Sequence, residues 1–394
     1  MKNVVVLGSS GSIGRSTAEV LSRNRDRFRL YGISAHSNVE ALLEQCRTHR
    51  PVYAVMVDPQ AASRLETVLR DEGLPTRVLA GEASLVDLAG DEAVDYVMAA
   101  IVGAVGLAPT LAAARAGKRV LLANKESLVM TGALFMGELS RGGGELIPID
   151  SEHNALFQAL PPGYQAGARP LGVSRLWLTC SGGPFLRKTP AELQAVTPDQ
   201  ACAHPRWSMG RKISVDSATL MNKGLEIIEA SHLFGMPLAQ VRVVIHPESM
   251  VHSLVEYVDG SFVAQLGRPD MRTPIACGLA WPERMDAGVA PLDLTRLGAL
   301  HFEPPDETAF PCLRLAREAF AAGGTTPAAL NAANEIAVAA FLDNRLAFTA
   351  IPGVIETTLE RGDWPPADDL DTVLAVDSTA RAYARAVVSA QGAA

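Results

Sequence analysis

The chain has 394 residues, of which 48% are hydrophobic and 20% charged, and its formal net charge is −8 at pH 7. Its length exceeds one ordinary core and predicts two or three domains of a globular protein. The negative charge argues against nucleic acid or an anionic membrane as the main partner, while an anionic small substrate stays compatible with it.

The five cysteines are odd in number and far apart, which predicts reduced thiols and a cytoplasmic protein rather than a disulfide framework. The first predicted strand begins almost at once, and we therefore expect no signal peptide.

Short β-rich runs alternate with helical stretches in the first part of the chain. Such alternation is typical of βαβ units and of a parallel sheet that helices cover on both faces. The predicted strands are Asn3–Leu7, Arg29–Ser34, Tyr53–Val57, Thr76–Leu79, Tyr96–Ala100, Arg119–Ala123 and Glu145–Ile149. Helices are predicted between most of them, for example at Ile13–Arg23 and Asn38–Arg47. The uncharged segment 96–114 is long enough to span a bilayer, but glycines and a proline interrupt it, and we interpret it as a buried strand with its crossover.

Three glycines, Gly8, Gly11 and Gly14, separate the first strand from the first helix. Glycine lets the backbone turn tightly and approach a pyrophosphate at a helix N-terminus. The spacing is looser than the usual G-x-G-x-x-G, yet in a strand–turn–helix setting it predicts dinucleotide binding. An NAD enzyme would be expected to offer a carboxylate after the second strand, where Ser34–Asn38 has none. We therefore expect NADPH rather than NADH.

The polar stretch Asp150–Asn154 follows the last of these strands. Asp150 and Glu152 are two residues apart, and on a strand end both side chains would point the same way. Neighbouring carboxylates favour a shared cation, and oxygen ligands indicate Mg²⁺ or Mn²⁺, with Co²⁺ as a further alternative. His153 would point the opposite way and ranks lower as a ligand. The other interpretation is a solvated turn that caps a helix beginning at Asn154.

The next region, 151–281, combines a strand at Arg175–Cys180, a long helix near Ser217–Phe234 and a hairpin. The hairpin consists of Val251–Val258 and Ser261–Gly267 around Asp259-Gly260, a common turn pair.

Polar residues on the predicted helix share one face. Asn222 and Lys223 lie four and three residues before Glu226, so the three side chains share one face. Glu226 is also a plausible third oxygen ligand for the cation proposed at Asp150 and Glu152. Ser217 is placed near the helix start, where an anion is stabilised. A surface salt bridge between Lys223 and Glu226 is the alternative interpretation of that pair.

Three loops complete the candidate site. After one strand, Lys125 could neutralise an anion, while Asn124 and Glu126 could hold a ribose or nicotinamide. After another, Ser181-Gly182-Gly183 offers a hydroxyl and open backbone N–H groups for phosphate, unless it is an ordinary glycine turn. The stretch Ala201–Arg211, with Trp207 and Met209, is consistent with a mobile lid or with core packing of the tryptophan.

Residues 282–311 show weak periodicity and are interpreted as a linker. The Ala-rich helices Asn331–Asp343 and Ser378–Ser389 then predict a C-terminal α-helical bundle at 312–394. The predicted fold is thus α/β and multidomain. Residues 1–150 form an N-terminal NADPH-binding domain with a Rossmann-type parallel sheet, and residues 151–281 form a central α/β catalytic domain with a sheet and hairpin.

Taken in order, these motifs resemble the 1-deoxy-D-xylulose 5-phosphate reductoisomerase family over nearly the whole chain. The matching segments include GSSGSIG, LLANKESLV, IDSEHNALFQ, SGGPF, HPRWSMGRKISVDSATLMNKGLE, DMRTPIA and NAANEIAVAAF. The resemblance implies a homodimeric NADPH- and divalent-metal-dependent enzyme of the non-mevalonate isoprenoid pathway. Such an enzyme rearranges and reduces 1-deoxy-D-xylulose 5-phosphate to 2-C-methyl-D-erythritol 4-phosphate.

The resemblance also assigns residues. The implied metal ligands are Asp150, Glu152 and Glu226, and the implied catalytic residues are these three with Lys125 and His204. The implied substrate contacts are Lys125, Ser151, Glu152, Ser181, His204, Trp207, Ser217, Asn222, Lys223 and Glu226. The implied cofactor contacts are Ser10, Gly11, Ser12, Ile13, Asn38, Asn124, Glu126 and Gly210. His36 and Ser37 are added as cofactor contacts because their imidazole and hydroxyl can suit a 2′-phosphate.

This chain departs from the family at one place. It has His36 and Ser37 where the family commonly has Gly followed by Lys or Arg, which leaves open how a 2′-phosphate is held. Two other enzyme classes fit part of the sequence: a plain NADP dehydrogenase of the homoserine dehydrogenase type, and a metal-dependent aldolase or isomerase that only senses nucleotide. A non-catalytic binding module is the least expected.

Overall fold

The computed structural model describes residues 1–205, 207 and 209–391, and the chain divides into two compact units. The first unit comprises Met1–Ser127, Phe135–Phe157 and Asp270–Pro291, and the second comprises Leu128–Leu134, Gln158–Pro269 and Leu292–Ala394. Arg206 and Ser208, which belong to the predicted lid, lie outside the described residues.

The sheet of the first unit consists of seven parallel strands. They are β1 (Lys2–Leu7), β2 (Phe28–Ala35), β3 (Tyr53–Met56), β4 (Arg77–Ala80), β5 (Tyr96–Ala99), β6 (Arg119–Leu122) and β7 (Glu145–Pro148). All seven predicted strands are confirmed to within one residue at each end. Their order is β4-β3-β2-β1-β5-β6-β7. The chain builds the sheet outward from β1 to β4 on one side and then returns to place β5 on the other side of β1. A crevice forms at the carboxyl ends of β1 and β5, where such sheets bind dinucleotides. The Rossmann-type prediction is therefore confirmed.

Helices connect these strands, and two of them begin at residues that are typical helix N-caps. They are α1 (Ser12–Arg23), α2 (Val39–His49), α3 (Pro59–Asp71), α4 (Glu82–Gly90), α5 (Leu107–Arg115), α6 (Glu126–Gly142) and α7 (Ser151–Ala159). Asn38 and Asp58 cap α2 and α3 by accepting a hydrogen bond from the backbone N–H of the third residue of each helix. Val4, Val5 and Val6 of β1 are fully buried, as a sheet covered on both faces requires.

The second unit contains a four-stranded sheet. Its strands are β8 (Val173–Cys180), β9 (Val241–Ile245), β10 (Val251–Tyr257) and β11 (Phe262–Leu266), in the order β11-β10-β8-β9. The β10–β11 hairpin is confirmed, and Gly260 in its turn has φ +84°. The sequence analysis missed β9, although its β-branched run VRVVI is a typical strand signal.

The long helix predicted near Ser217–Phe234 is wrong as a single element. Two short helices, α8 (Pro190–Leu193) and α9 (Pro198–Cys202), are followed by α10 (Arg211–Ala218) and α11 (Met221–Leu233). Between α10 and α11, Leu220 adopts the left-handed conformation with φ 61° and breaks the helical path. Since leucine disfavours this conformation, local propensity gave no signal for the break.

The remaining helices are α12 (Arg272–Ala280) in the first unit and α13 (Cys312–Ala322), α14 (Thr326–Leu342), α15 (Ile351–Arg361) and α16 (Leu370–Gln391) in the second. Ala329 and Ala332 of α14 pack with Val376 and Ala380 of α16 in a buried cluster, which confirms the C-terminal helical bundle. None of the described helices combines the length and apolar character needed to cross a bilayer. The five cysteines are free thiols.

Candidate functional site

The glycine-rich turn between β1 and α1 is built by close backbone contacts. Gly8 has φ +77°, and a Cβ there would lie 2.7 Å from the Ala100 carbonyl oxygen. A Cβ on Gly14 would lie 2.4 Å from the Cα and carbonyl oxygen of Ser9. Gly8 N–H donates to Ser34 Oγ at 3.0 Å, which ties the turn to β2. Only glycine fits at these two positions, and the turn is thereby held tightly at the carboxyl end of β1.

The predicted pyrophosphate contacts Ser10, Gly11, Ser12 and Ile13 lie at exposed or half-buried positions where α1 begins. Gly11 is the N-cap and has no side chain to satisfy the first helical N–H groups. A helix N-terminus of this kind suits an anion. The structure therefore fits a dinucleotide at this turn.

The predicted 2′-phosphate contacts lie together at the end of β2. His36, Ser37 and Asn38 are all exposed. The Asn38 side-chain oxygen accepts a hydrogen bond from Ala41 N–H at 3.1 Å. The His36 carbonyl accepts one from Asp58 N–H at 2.9 Å, so the end of β3 lies alongside. This position matches the expected ribose end of the crevice.

Asn124 and Glu126 follow β6 in the same unit. Asn124 is 2% exposed, and its Nδ2 donates to the Gly103 carbonyl at 3.3 Å. Its Oδ1 is buried with no hydrogen-bond partner among the described residues. A buried amide oxygen normally has a donor, and the carboxamide of a nicotinamide could supply one. Glu126 is buried at the first position of α6.

Lys125 forms an ion pair with Asp150. Its Nζ lies 2.6 Å from Asp150 Oδ2, and the two side chains are 9% and 14% exposed. Low exposure limits screening by water, and the pair therefore interacts more strongly than one on an open surface. A cation and an anion are thus held together where β6 and β7 end.

The local geometry proposed for Glu152 and His153 is wrong. We expected an extended strand end, but α7 begins at Ser151 and the Asp150 carbonyl accepts from Asn154 N–H at 2.8 Å. The direction argument that favoured Glu152 over His153 therefore does not apply, because neighbouring helical residues point about 100° apart. Ser151 Oγ donates to Glu152 Oε2 at 2.6 Å. His153 is fully buried.

In the second unit, Ser181 follows β8 and contacts His204. His204 Nδ1 accepts from Trp207 N–H at 2.9 Å, which places the ring proton on Nε2. His204 Nε2 then donates to Ser181 Oγ at 2.9 Å, and Gly183 N–H donates to the same oxygen at 3.1 Å. His204 and Gly183 thus hold Ser181 Oγ at a fixed position beside the glycine loop.

The neighbouring part of this site lies at the junction of α10 and α11. Ser217 is in the last turn of α10, and the prediction that it lies near a helix start is wrong. A Cβ on Gly183 would lie 2.8 Å from the Ser217 carbonyl oxygen, so the glycine loop packs directly on this turn. The loop and the junction thus form one surface.

Asn222 and Lys223 both donate to Glu226, Asn222 Nδ2 to Oε1 and Lys223 Nζ to Oε2. Lys223 is 2% exposed and Glu226 is fully buried, so the surface salt bridge considered for this pair is wrong. A buried ion pair loses hydration on both partners and is weak evidence for a purely stabilising role.

The described lid residues Trp207 and Met209 are half-buried, and Gly210 is the exposed N-cap of α10. The Trp207 ring centroid lies 6.2 Å from that of His252. Full core packing of Trp207 is therefore not observed, and lid motion stays a prediction.

The sequence analysis missed a polar pair, Asp216 of α10 and Asn334 of α14. Asn334 Nδ2 donates to Asp216 Oδ1 at 2.8 Å, and both residues are at most 1% exposed. The signal was present in NAANEIAVAAF, because an asparagine among the core alanines of a helix is unusual.

Comparisons with known proteins agree along the whole chain. Residues 4–132 match the family described as 1-deoxy-D-xylulose 5-phosphate reductoisomerase, and residues 146–234 and 266–383 match two C-terminal domains of such reductoisomerases. The chain is 58% identical to the 1-deoxy-D-xylulose 5-phosphate reductoisomerase of Cupriavidus necator, over 99% of each chain. It is 58% identical to that of Methylococcus capsulatus, over 98% of each chain.

Two solved structures are also similar. One is a reductoisomerase in complex with NADPH, fosmidomycin and magnesium, with a TM-score of 0.94 and 46% identity over 99% of this chain and 98% of that one. The other is the 1-deoxy-D-xylulose 5-phosphate reductoisomerase of Zymomonas mobilis in complex with NADPH, with a TM-score of 0.91 and 46% identity over 98% of this chain and 99% of that one.

Proposed function

The chain belongs to the 1-deoxy-D-xylulose 5-phosphate reductoisomerase family, and we propose that it converts 1-deoxy-D-xylulose 5-phosphate to 2-C-methyl-D-erythritol 4-phosphate with NADPH and a divalent metal. The observation that carries this proposal is 58% identity over 99% of both chains with a curated reductoisomerase. The reaction rearranges the carbon skeleton and then transfers hydride from NADPH to the resulting aldehyde. It serves the non-mevalonate isoprenoid pathway.

Asp150, Glu152 and Glu226 would hold Mg²⁺ or Mn²⁺ in this proposal. Their carboxylates are the hard oxygen ligands that these ions take. When bound, the ion supplies a Lewis acid that polarises the substrate carbonyl and its neighbouring hydroxyl. Lys125, whose Nζ lies 2.6 Å from Asp150 Oδ2, would keep a positive charge beside the substrate oxygens. Lys223 balances the charge of Glu226 in the same way.

The substrate phosphate would be bound by Ser181, Ser217, Asn222 and Lys223. These residues offer hydroxyl, amide and ammonium donors, and His204 orients Ser181 as described above. Binding energy at the phosphate, which does not react, would position the carbons that do. Trp207 and Met209 would cover the bound substrate and exclude water.

NADPH would bind with its pyrophosphate at Ser10, Gly11, Ser12 and Ile13. Its nicotinamide would lie by Asn124 and Glu126, where the buried Asn124 Oδ1 supports a carboxamide contact. Gly210 would be a further cofactor contact. The ribose 2′-phosphate would lie by His36, Ser37 and Asn38. The protein would act as a cytoplasmic homodimer, with domains at 1–150, 151–281 and 312–394 joined by a linker at 282–311.

The direct test is incubation with 1-deoxy-D-xylulose 5-phosphate, NADPH and Mg²⁺ or Mn²⁺ while the absorbance of the reduced nicotinamide is followed. The expected result is substrate-dependent NADPH oxidation that EDTA abolishes. Activity unaffected by EDTA would favour a plain dehydrogenase. Turnover of substrate without NADPH oxidation would favour an aldolase or isomerase.

Glu226→Gln tests the metal assignment. We expect kcat to fall by about two orders of magnitude or more, because one charged ligand is lost. NADPH affinity should stay unchanged. Glu335→Gln is the matched control, since Glu335 is a low-exposure carboxylate that pairs with Arg381 in the helical bundle. Full turnover by Glu226→Gln would remove this residue from the metal site.

A further inference from the structure

Asp216 is an unfavourable residue for its position. It is 1% exposed and lies in the last turn of α10, where the negative end of the helix dipole repels a carboxylate. Burial of the charge adds a desolvation cost. Two partners offset these costs: Lys212 Nζ, one turn earlier, at 3.0 Å, and Asn334 Nδ2 from α14 at 2.8 Å.

A contribution to the stability of the fold does not explain why asparagine occupies position 334. It is fully buried in an alanine-rich helix, and only its Nδ2 is bonded, because Oδ1 has no hydrogen-bond partner among the described residues. A half-satisfied buried amide destabilises a helix core in which alanine would pack without cost. The contribution of the Asn334 side chain is therefore its hydrogen bond to Asp216.

The residue after Asp216 is Ser217, one of the proposed phosphate contacts. Successive helical residues are about 100° apart, so a fixed direction for Asp216 fixes the direction of Ser217. The same turn touches the glycine loop, since the Ser217 carbonyl oxygen would lie 2.8 Å from a Cβ on Gly183. A rotation of α10 would therefore move the hydroxyl relative to both the loop and α11.

The backbone between α10 and α11 has little freedom to compensate for a rotation of α10. Leu220 holds a left-handed conformation with φ 61°, and Asn222 and Lys223 come directly after it. A Cβ on Gly224, in the first turn of α11, would lie 3.3 Å from the Cys312 carbonyl oxygen of α13. The C-terminal helices thus contact the junction at two points, through Cys312 and through Asn334.

We propose that Asp216 is a positioning residue for the substrate phosphate, and that Asn334 of the C-terminal bundle holds its carboxylate in place. This inference rests on the proposed function, in which Ser217, Asn222 and Lys223 bind that phosphate. Neither Asp216 nor Asn334 touches the substrate in this proposal. The bundle would set substrate affinity through the orientation of α10.

The test compares Asn334→Ala and Asp216→Asn with the wild-type full-length enzyme. We expect kcat/KM for the substrate to fall by about 10- to 100-fold, mainly through a higher KM, as misplacement of binding groups predicts. The inhibition constant of inorganic phosphate should rise in parallel. NADPH affinity, measured by fluorescence, should stay unchanged. If Asn334→Ala fails to fold, the size-preserving Asn334→Asp decides, because it replaces the amide donor to Asp216 with a second carboxylate.

Asn331→Ala is the matched control. Asn331 lies one turn earlier on α14 and is equally buried, and its Oδ1 likewise has no hydrogen-bond partner in the part of the chain that the structure describes. Its Nδ2, however, donates to Glu335 and to Met130 Sδ rather than to Asp216. It should leave KM and phosphate inhibition unchanged. The exchanged pair Asp216→Asn with Asn334→Asp retains a donor and an acceptor and should recover part of the loss.

Three results would overturn the positioning role: wild-type KM and phosphate inhibition in both single variants, an equal loss in Asn331→Ala, or a parallel loss of NADPH affinity. Wild-type turnover of the substrate tests the proposed function, whereas the ratio of variant to wild type tests the positioning role. The two ideas can therefore fail separately.

Discussion

Replacing Gly14 with alanine should distort the glycine-rich turn between β1 and α1 through a steric clash with the backbone. A Cβ at position 14 would lie 2.4 Å from two backbone atoms of Ser9, about 1 Å inside ordinary van der Waals contact. Ser9 cannot move away freely, because its N–H donates to the Ser34 carbonyl at 2.8 Å and its hydroxyl is bonded to Gln45. Since the clash involves backbone, rotation of a side chain cannot relieve it.

Two opposing effects determine how much Gly14→Ala changes the free energy of unfolding. Glycine to alanine inside a helix ordinarily gains about 0.5–1 kcal/mol, because alanine loses less backbone entropy on folding. Overpacking of a tight contact costs about 1–3 kcal/mol and should therefore dominate. If α1 relieves the clash by moving away from the turn, the pyrophosphate loses its aligned N–H groups. A loss of about 1.4 kcal/mol there corresponds to a tenfold higher Kd for NADPH.

Urea unfolding and NADPH titration by fluorescence measure both effects. Gly137→Ala is the control, since Gly137 lies within α6 and the nearest atom to its added Cβ is 3.9 Å away. The control should gain stability and bind NADPH normally, whereas Gly14→Ala should lose both stability and affinity. Equal stabilisation of the two variants with unchanged Kd would refute the steric reasoning.

Ser181→Ala should raise the KM for substrate by about tenfold with a smaller change in kcat, because a hydrogen bond to a charged group contributes about 1.5–3 kcal/mol. An unchanged KM in steady-state kinetics would exclude Ser181 from the phosphate site. Asp270→Asn should lower stability at neutral pH by about 1–2 kcal/mol, since hydrogen bonds from Arg272 hold the pKa of Asp270 below its ordinary 3.8. Because that pKa is depressed, the difference in the free energy of unfolding between wild type and variant should be present above pH 3.8 and disappear as pH falls through the folded-state pKa. Urea unfolding at several pH values measures this difference, and a difference that stays constant with pH would contradict the prediction.

The local elements of this fold could be predicted from the sequence because their signals are local. Continuous apolar runs bounded by glycine and proline placed all seven strands of the parallel sheet, and Asp259-Gly260 placed the hairpin. The turn at Gly8 and Gly14 was also readable, since the need for glycine arises from contacts within a few residues or with the adjacent strand. Residue types alone likewise indicated oxygen ligands and a phosphate loop.

Other features depend on contacts that no local pattern contains. The left-handed Leu220 separates α10 from α11 and puts Ser217 at a helix end, against the preference of leucine. The helical start at Ser151 removed the strand geometry assumed for Glu152.

Burial and long-range pairing decided the rest. The hydrogen bonds of Lys223 to Glu226 and of Asn334 to Asp216 are ordinary charged or polar pairs in sequence, and their burial becomes visible only in the packed unit. Asp216 and Asn334 lie 118 positions apart, and which buried groups meet over such a distance depends on how whole helices pack. The sequence by itself determined most of the helices and strands and the chemistry available to this protein. Tertiary packing decided which polar groups are dehydrated and paired, because dehydration is a property of the assembled core.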